Sequence, residues 1–206
     1  MIAKLARCAL LMAALTAFHA SGARAQEARS QTQGLLLGFS LTGSSLEVED
    51  GERESGGGGG LMAGWGVSRS VTLFLRGDLT SIDISSPEIF GTYGLILIDL
   101  GTRITFSGPE RQFVPNITLA VTGITASADI RVTPVLSTNV KVTGGGFTVG
   151  GGFQHYFTPG LALDLQALLT IGSFSEVEIG DRTREIDKLD ATAGRFTAGL
   201  SWHPRR

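Results

Sequence analysis

The chain alternates. In LALDLQALLTIG, Leu161, Leu163, Leu165, Ala167, Leu169 and Ile171 take every odd position, while Asp164, Gln166 and Thr170 fall among the even ones. A helix, at about 3.6 residues per turn, would scatter both sets around its circumference; a strand puts them on opposite faces. The same period of two recurs along the chain and predicts eight strands, at about Gly34–Leu46, Gly57–Val67, Val71–Ile82, Tyr93–Phe106, Phe113–Ala126, Lys141–Phe157, Leu161–Gly172 and Ala191–Trp202.

The connections also alternate. EVEDGERESG, the stretch around SPEIFGT, residues 127–143 and SEVEIGDRTREIDKLD are long. Ser68-Arg69-Ser70, SGPERQ and Thr158-Pro159-Gly160 are short. Long loops at one end and short turns at the other describe an outer-membrane barrel. The expected fold is therefore all-β, an eight-stranded antiparallel up-and-down transmembrane barrel over residues 34–206. The third long loop, residues 127–143 with its stretch IRVTPVLSTNVKVT, reads as a protruding hairpin. Its rival is an added pair of spanning strands, giving ten, but each half is shorter than the roughly 9–11 residues needed to cross.

Charges collect on the faces opposite the apolar ones: Arg76, Asp78, Asp99, Arg103, Asp164 and Arg195. Three are positive and three negative, so a lumen holding all six can be neutral. A slip of one residue would push every one of them into hydrocarbon. At roughly 2–4 kcal/mol per arginine near the midplane, the three arginines alone approach the net stability of about 5–15 kcal/mol that a domain possesses. Trp65, Phe106, Phe113, Phe157 and Trp202 lie beside the short turns or the C-terminus and form one expected aromatic girdle. Phe90, Tyr93 and Phe174, near the long loops, form the other. Glycines in Gly144–Gly146 and Gly150–Gly152 are expected to face the lumen, leaving room for arginines and permitting curvature. The run Gly56–Gly60 lacks the GK[ST] ending of a phosphate loop and reads as a flexible lead into the second strand.

The first 25 residues stand apart. Lys4 and Arg7 precede the apolar run Cys8–Phe18, and Ala23-Arg24-Ala25 supplies a cleavage pattern: a secretory signal peptide cut after Ala25. Residues 26–33 form a loose polar lead-in. The apolar run is short of the roughly 20 residues of a spanning helix. Cys8 precedes that run, where a lipid-attachment cysteine would follow it. Removing Lys4, Arg7 and Arg24 with the leader leaves 14 basic residues against 19 acidic, a net charge of about −5, and no cysteine. No basic stripe offers nucleic acid a track.

GWGVSRSVTLFLRGDL, GTRITFSGPERQFVPNITLAVTGI and GFQHYFTPGLALDLQALL resemble the strand–turn–strand units of OmpA/OmpX-like outer-membrane barrels. The resemblance covers almost all of the mature chain. It implies Gram-negative outer-membrane insertion and surface-exposed loops, with structural, adhesive or protective roles. Such barrels usually finish on an aromatic residue; here His203-Pro204-Arg205-Arg206 runs past Trp202.

The functional expectation is a non-enzymatic, monomeric outer-membrane protein. Its lumen is closed and ion-paired, its partners are membrane lipid, lipopolysaccharide and ligands held by its loops, and it needs no cofactor or metal. The acidic set Glu47, Glu49, Asp50, Glu52 and Glu54, against Arg53 alone, reads either as a bridge to lipid phosphates through divalent cations or as a solvated loop. One alternative is an outer-leaflet lipid-modifying enzyme on a similar barrel, but His155 and His203 both fall at the short-turn end, away from the outer rim. A small channel would be obstructed by the lumen ions. A soluble lipocalin-like carrier would require the apolar face to point inward.

Overall fold

The computed structural model describes residues 32–49, 51–83, 91–106, 112–133, 136–180 and 182–204. The expected leader, most of the lead-in, Asp50, Phe90 and most of the SGPERQ turn lie outside them. The described residues form eight strands: β1 (Gly34–Val48), β2 (Glu54–Gly66), β3 (Val71–Asp83), β4 (Thr92–Thr105), β5 (Phe113–Thr133), β6 (Leu136–Thr158), β7 (Leu161–Ile179) and β8 (Arg182–Trp202). Each pairs antiparallel with its neighbour in sequence, and β1 pairs with β8 to close the barrel. That seam runs from Leu37 opposite Trp202 to Val48 opposite Ala191.

Alternation decides which side of the wall each residue takes. Leu41, Leu61 and Phe147 are 74%, 71% and 73% exposed on the outside, whereas Asp78 and Asp99, one wall thickness away, are 1% exposed. Leu163, Leu165 and Ile98 likewise point away from the axis that Asp164 and Arg103 face. An inverted, lipocalin-like arrangement is therefore not the one adopted.

Several elements differ from the sequence expectation. The strands run further at the long-loop end: β1 continues to Val48 and β2 begins at Glu54, so the first long loop is a short tip. β7 continues to Ile179 and β8 begins at Arg182, so SEVEIGDRTREIDKLD is mostly a hairpin turning at Gly180, whose φ of 59° suits glycine. β5 and β6 form the protruding hairpin, with Ala128 opposite Val140, and no extra spanning pair is added. Charged residues crowd these extensions, and that masks their alternation. Gly56–Gly60 is regular strand, hydrogen-bonded to β1 and β3, and is not a flexible lead-in. Thr32, at the end of the expected loose segment, is buried and donates to the Arg69 carbonyl at 2.8 Å.

The second aromatic girdle is also corrected. Phe174 is 3% exposed and packs inside the barrel with Leu46, Ile82, Leu95, Leu97 and Ile124; Tyr93 is partly buried against the same cluster. Both occupy inward positions of their strands. Proximity to a long loop does not determine which side of the wall a residue takes. The lumen is therefore layered, with an apolar plug toward the tall end, ions at mid-height, and Val114, Tyr156 and Ala162 at the short-turn end.

The two short turns among the described residues are closed by side chains. The Ser68 hydroxyl accepts from the Ser70 and Val71 amides at 3.2 and 3.1 Å, and the Thr158 hydroxyl accepts from the Leu161 amide at 3.1 Å. Glycines set the curvature. A Cβ at inward-facing Gly144 or Gly146 would collide with the β7 backbone, whereas outward-facing Gly145 would meet only the Thr122 carbonyl, at 3.5 Å. Gly146→Val is accordingly expected to abolish most refolding into detergent micelles, and Gly145→Val to fold near wild-type yield. The readout is the folded fraction on unheated gels, and equal yields for the two variants would contradict this account of the curvature.

Candidate functional site

The inward polar residues of β1 and β3–β8 meet at mid-height. Arg195 is the central cation. Its guanidinium donates to Asp78 Oδ2 at 2.7 Å and to both carboxylate oxygens of Asp99, at 2.8 and 3.0 Å. Asp78 also accepts from Arg76 Nε at 2.9 Å and from the Thr42 hydroxyl at 3.0 Å. Asp99 accepts from the Thr122 hydroxyl at 2.7 Å. Thr122, Thr148 and Thr170 continue as a hydroxyl row across β5, β6 and β7, and Thr148 and Thr170 each accept from Arg195 at 3.2 Å.

The second centre is Arg103 with Asp164. Their Nη1–Oδ2 contact is 2.6 Å, and Asp164 also accepts from Gln166 at 2.7 Å and Gln154 at 3.3 Å. Gln154 donates in turn to Ser201 and accepts from Tyr156. The six ions thus divide into two neutral groups: Arg76, Asp78, Arg195 and Asp99 above, Arg103 and Asp164 below. All are at most 8% exposed. Burial makes an unpaired charge costly, so each carboxylate must keep several donors. Gly60 has a part here, because a Cβ at that position would strike the Asp78 carboxylate.

Sequence reasoning named the ions and put Gln166 and Thr170 on the same face as Asp164, but did not name Thr42, Thr122, Thr148 and Gln154. Their inward parity was the available signal. Trp65, Phe106, Phe113, Phe157 and Trp202 all point outward at the short-turn end, between 37% and 54% exposed. Of the acidic set of the first loop, Glu47 pairs with Arg53 at 2.9 Å and Glu54 accepts from the Tyr93 hydroxyl, while Asp50 lies outside the described residues. Among the described residues no group of three His, Cys, Asp or Glu side chains is placed to hold a metal ion.

His203 does not trail away. Its amide donates to the Gly160 carbonyl at 2.7 Å, and its ring, 2% exposed, lies 6.0 Å from that of Tyr156. Burial, reinforced by the Arg103 guanidinium and partly opposed by Asp164, pushes the imidazole from its ordinary 6.5 down to about 4.

No family model matches this sequence, and no curated protein matches it. Solved structures do share its fold. Neisserial surface protein A (NspA) superposes with a TM-score of 0.61 at 15% identity, over 82% of this chain and 97% of that one. The outer membrane protein OprG from Pseudomonas aeruginosa gives 0.58 at 12%, over 84% and 97%. Ail, the attachment invasion locus protein of Yersinia pestis, gives 0.52 at 10%, over 82% and 99%. At these identities the likeness establishes the fold.

Two predictions test this geometry. Arg195→Met leaves Asp78 and Asp99 without their shared cation and is expected to lower unfolding stability by about 3–5 kcal/mol. Arg195→Met with Asp99→Asn restores neutrality and should recover more than half of that loss in urea unfolding from micelles. If the double variant is no more stable than the single, charge balance is not what the network supplies. For His203, an unfolded chain takes up a proton near pH 6.5 while the folded one resists until about pH 4. Its contribution is therefore complete above pH 6.5 and shrinks as pH falls toward 4. Wild type should lose more stability between pH 7.5 and 4.5 than His203→Phe; identical losses would show that the imidazole is not titrating.

Proposed function

We propose that this chain is an integral outer-membrane barrel of a Gram-negative envelope, exported with its first 25 residues cleaved. It spans the bilayer with β1–β8 and performs a non-enzymatic structural or surface-interaction role. The observation that carries the reading is the segregation across one wall: leucine, isoleucine and phenylalanine outside on every strand, matched ions within. A surface so apolar is untenable in water over such an area and is what a barrel presents to lipid. The shared fold with outer-membrane proteins supports the same location.

In this reading Trp65, Phe106, Phe113, Phe157 and Trp202 form the girdle at the periplasmic interface, and the β5–β8 extension stands outside the cell. Lipid and lipopolysaccharide are the immediate neighbours. The closed ring leaves no unpaired strand edge within the span, which favours a monomer. Apolar plug and ion layers lie in series along the bore, and in this reading they close the lumen.

The folded protein should enter the outer-membrane fraction and migrate differently on gels before and after boiling. In planar bilayers its current should match the protein-free baseline. A protein recovered in the soluble periplasm, with no heat-dependent mobility, would overturn the assignment.

A further inference from the structure

Above the apolar plug the wall is uneven. β5, β6, β7 and β8 continue as a four-stranded sheet after β2, β3 and β4 have ended. Register fixes what shares its inner face. One row crosses the sheet as Ala126, Val142, Val177 and Arg184, each opposite the next. The row above reads Ala128, Val140, Ile179 and Arg182. Ala126 and Val142 pack against the plug that contains Phe174, so this face looks toward the barrel axis. The opposite face is polar: Ser127, Lys141, Glu178 and Thr183 form one row, with Lys141 and Glu178 3.6 Å apart.

An extension bathed in water on both sides has no need of an apolar face. Here the apolar rows persist beyond the plug, and Ile179 is 51% exposed. They end at two exposed arginines on the β8 edge, neither of which pairs with a carboxylate among the described residues. Four strands spaced about 4.8 Å apart make each row roughly 14 Å long, a suitable track for a medium-length acyl chain. The arginines at its end suit a carboxylate, with guanidinium–carboxylate hydrogen bonds fixing the headgroup.

We propose that the inner face of the β5–β8 extension binds a fatty acid, its chain along the rows Ala126–Val142–Val177 and Ala128–Val140–Ile179 and its carboxylate on Arg182 and Arg184. The apolar plug below would then be the floor of the site. This rests on the membrane orientation proposed above, since only that orientation puts the face outside the cell.

The test uses the full mature barrel in phosphatidylcholine nanodiscs, with methyl NMR signals followed during titration with laurate. Saturable shifts are expected at Val142, Val177 and Ile179. Binding should weaken about tenfold, as on losing one charge-assisted contact, in Arg182→Gln/Arg184→Gln and for lauryl alcohol on the wild type. Both arginines are exposed, and heat-dependent mobility checks that the variant folds. Shifts confined to the bilayer-facing methyls of Leu41 and Leu61 would mean partition into lipid alone and would overturn the proposal. So would equal affinity in the arginine variant, or a face already covered by a second copy and unresponsive to laurate. A barrel that never enters the nanodisc sinks the membrane assignment and this inference with it; one that enters without shifts at the three methyls sinks only the inference.

Discussion

Six charges share a cylinder whose bore eight strands make just wide enough for side chains. None can be solvated by bulk water: Arg76 meets Asp78 on its own strand, and the other pairs must find each other across the lumen. Arg195 on β8 reaches Asp78 on β3 and Asp99 on β4; Arg103 on β4 reaches Asp164 on β7. These contacts join strands that are not neighbours in the ring. They fix the cross-section of the barrel in a way that ladder hydrogen bonds, which act only between adjacent strands, do not.

The remaining interior is arranged around that requirement. Long arginines need space, and the glycines of β2 and β6 provide it while letting their strands press against β3 and β7. Threonines and glutamines supply the donors that two oxygens per carboxylate demand. Above the ions the inward positions turn apolar, so the wall there is oily on both faces. Leu95 and Leu97 are wholly buried inside while Ile96 and Ile98 are exposed outside. A uniformly apolar stretch of this kind carries no alternation to read.

That contrast explains what the sequence made legible. Where one face was polar, as at Asp99 through Arg103 or Asp164 through Thr170, parity alone separated inside from outside. It could not say which acid each arginine would meet, because the partners lie on strands brought together only by closure. Phe174 was misread because nearness to a loop was weighed over its even position in β7. Gly56–Gly60 was placed at the start of the second strand but read as flexible, because glycine removes the side-chain pattern that marks a strand, although its backbone pairs on both sides. The extensions of β7 and β8 were hidden by their charges, since Glu176, Glu178, Arg182 and Glu185 read as loop when solvent, not lipid, touches one face.

The seam between β1 and β8 joins the two ends of the barrel's sequence. Until Trp202 settles beside Leu37, both terminal strands keep bare amides and carbonyls along one edge, and Arg195 has no acids to meet. Half a barrel is consequently not a smaller barrel but an adhesive, charged sheet. Such far-separated pairings form slowly, so the open, charged sheet is the form the chain must pass through, and keep from sticking to its neighbours, before the last strand arrives.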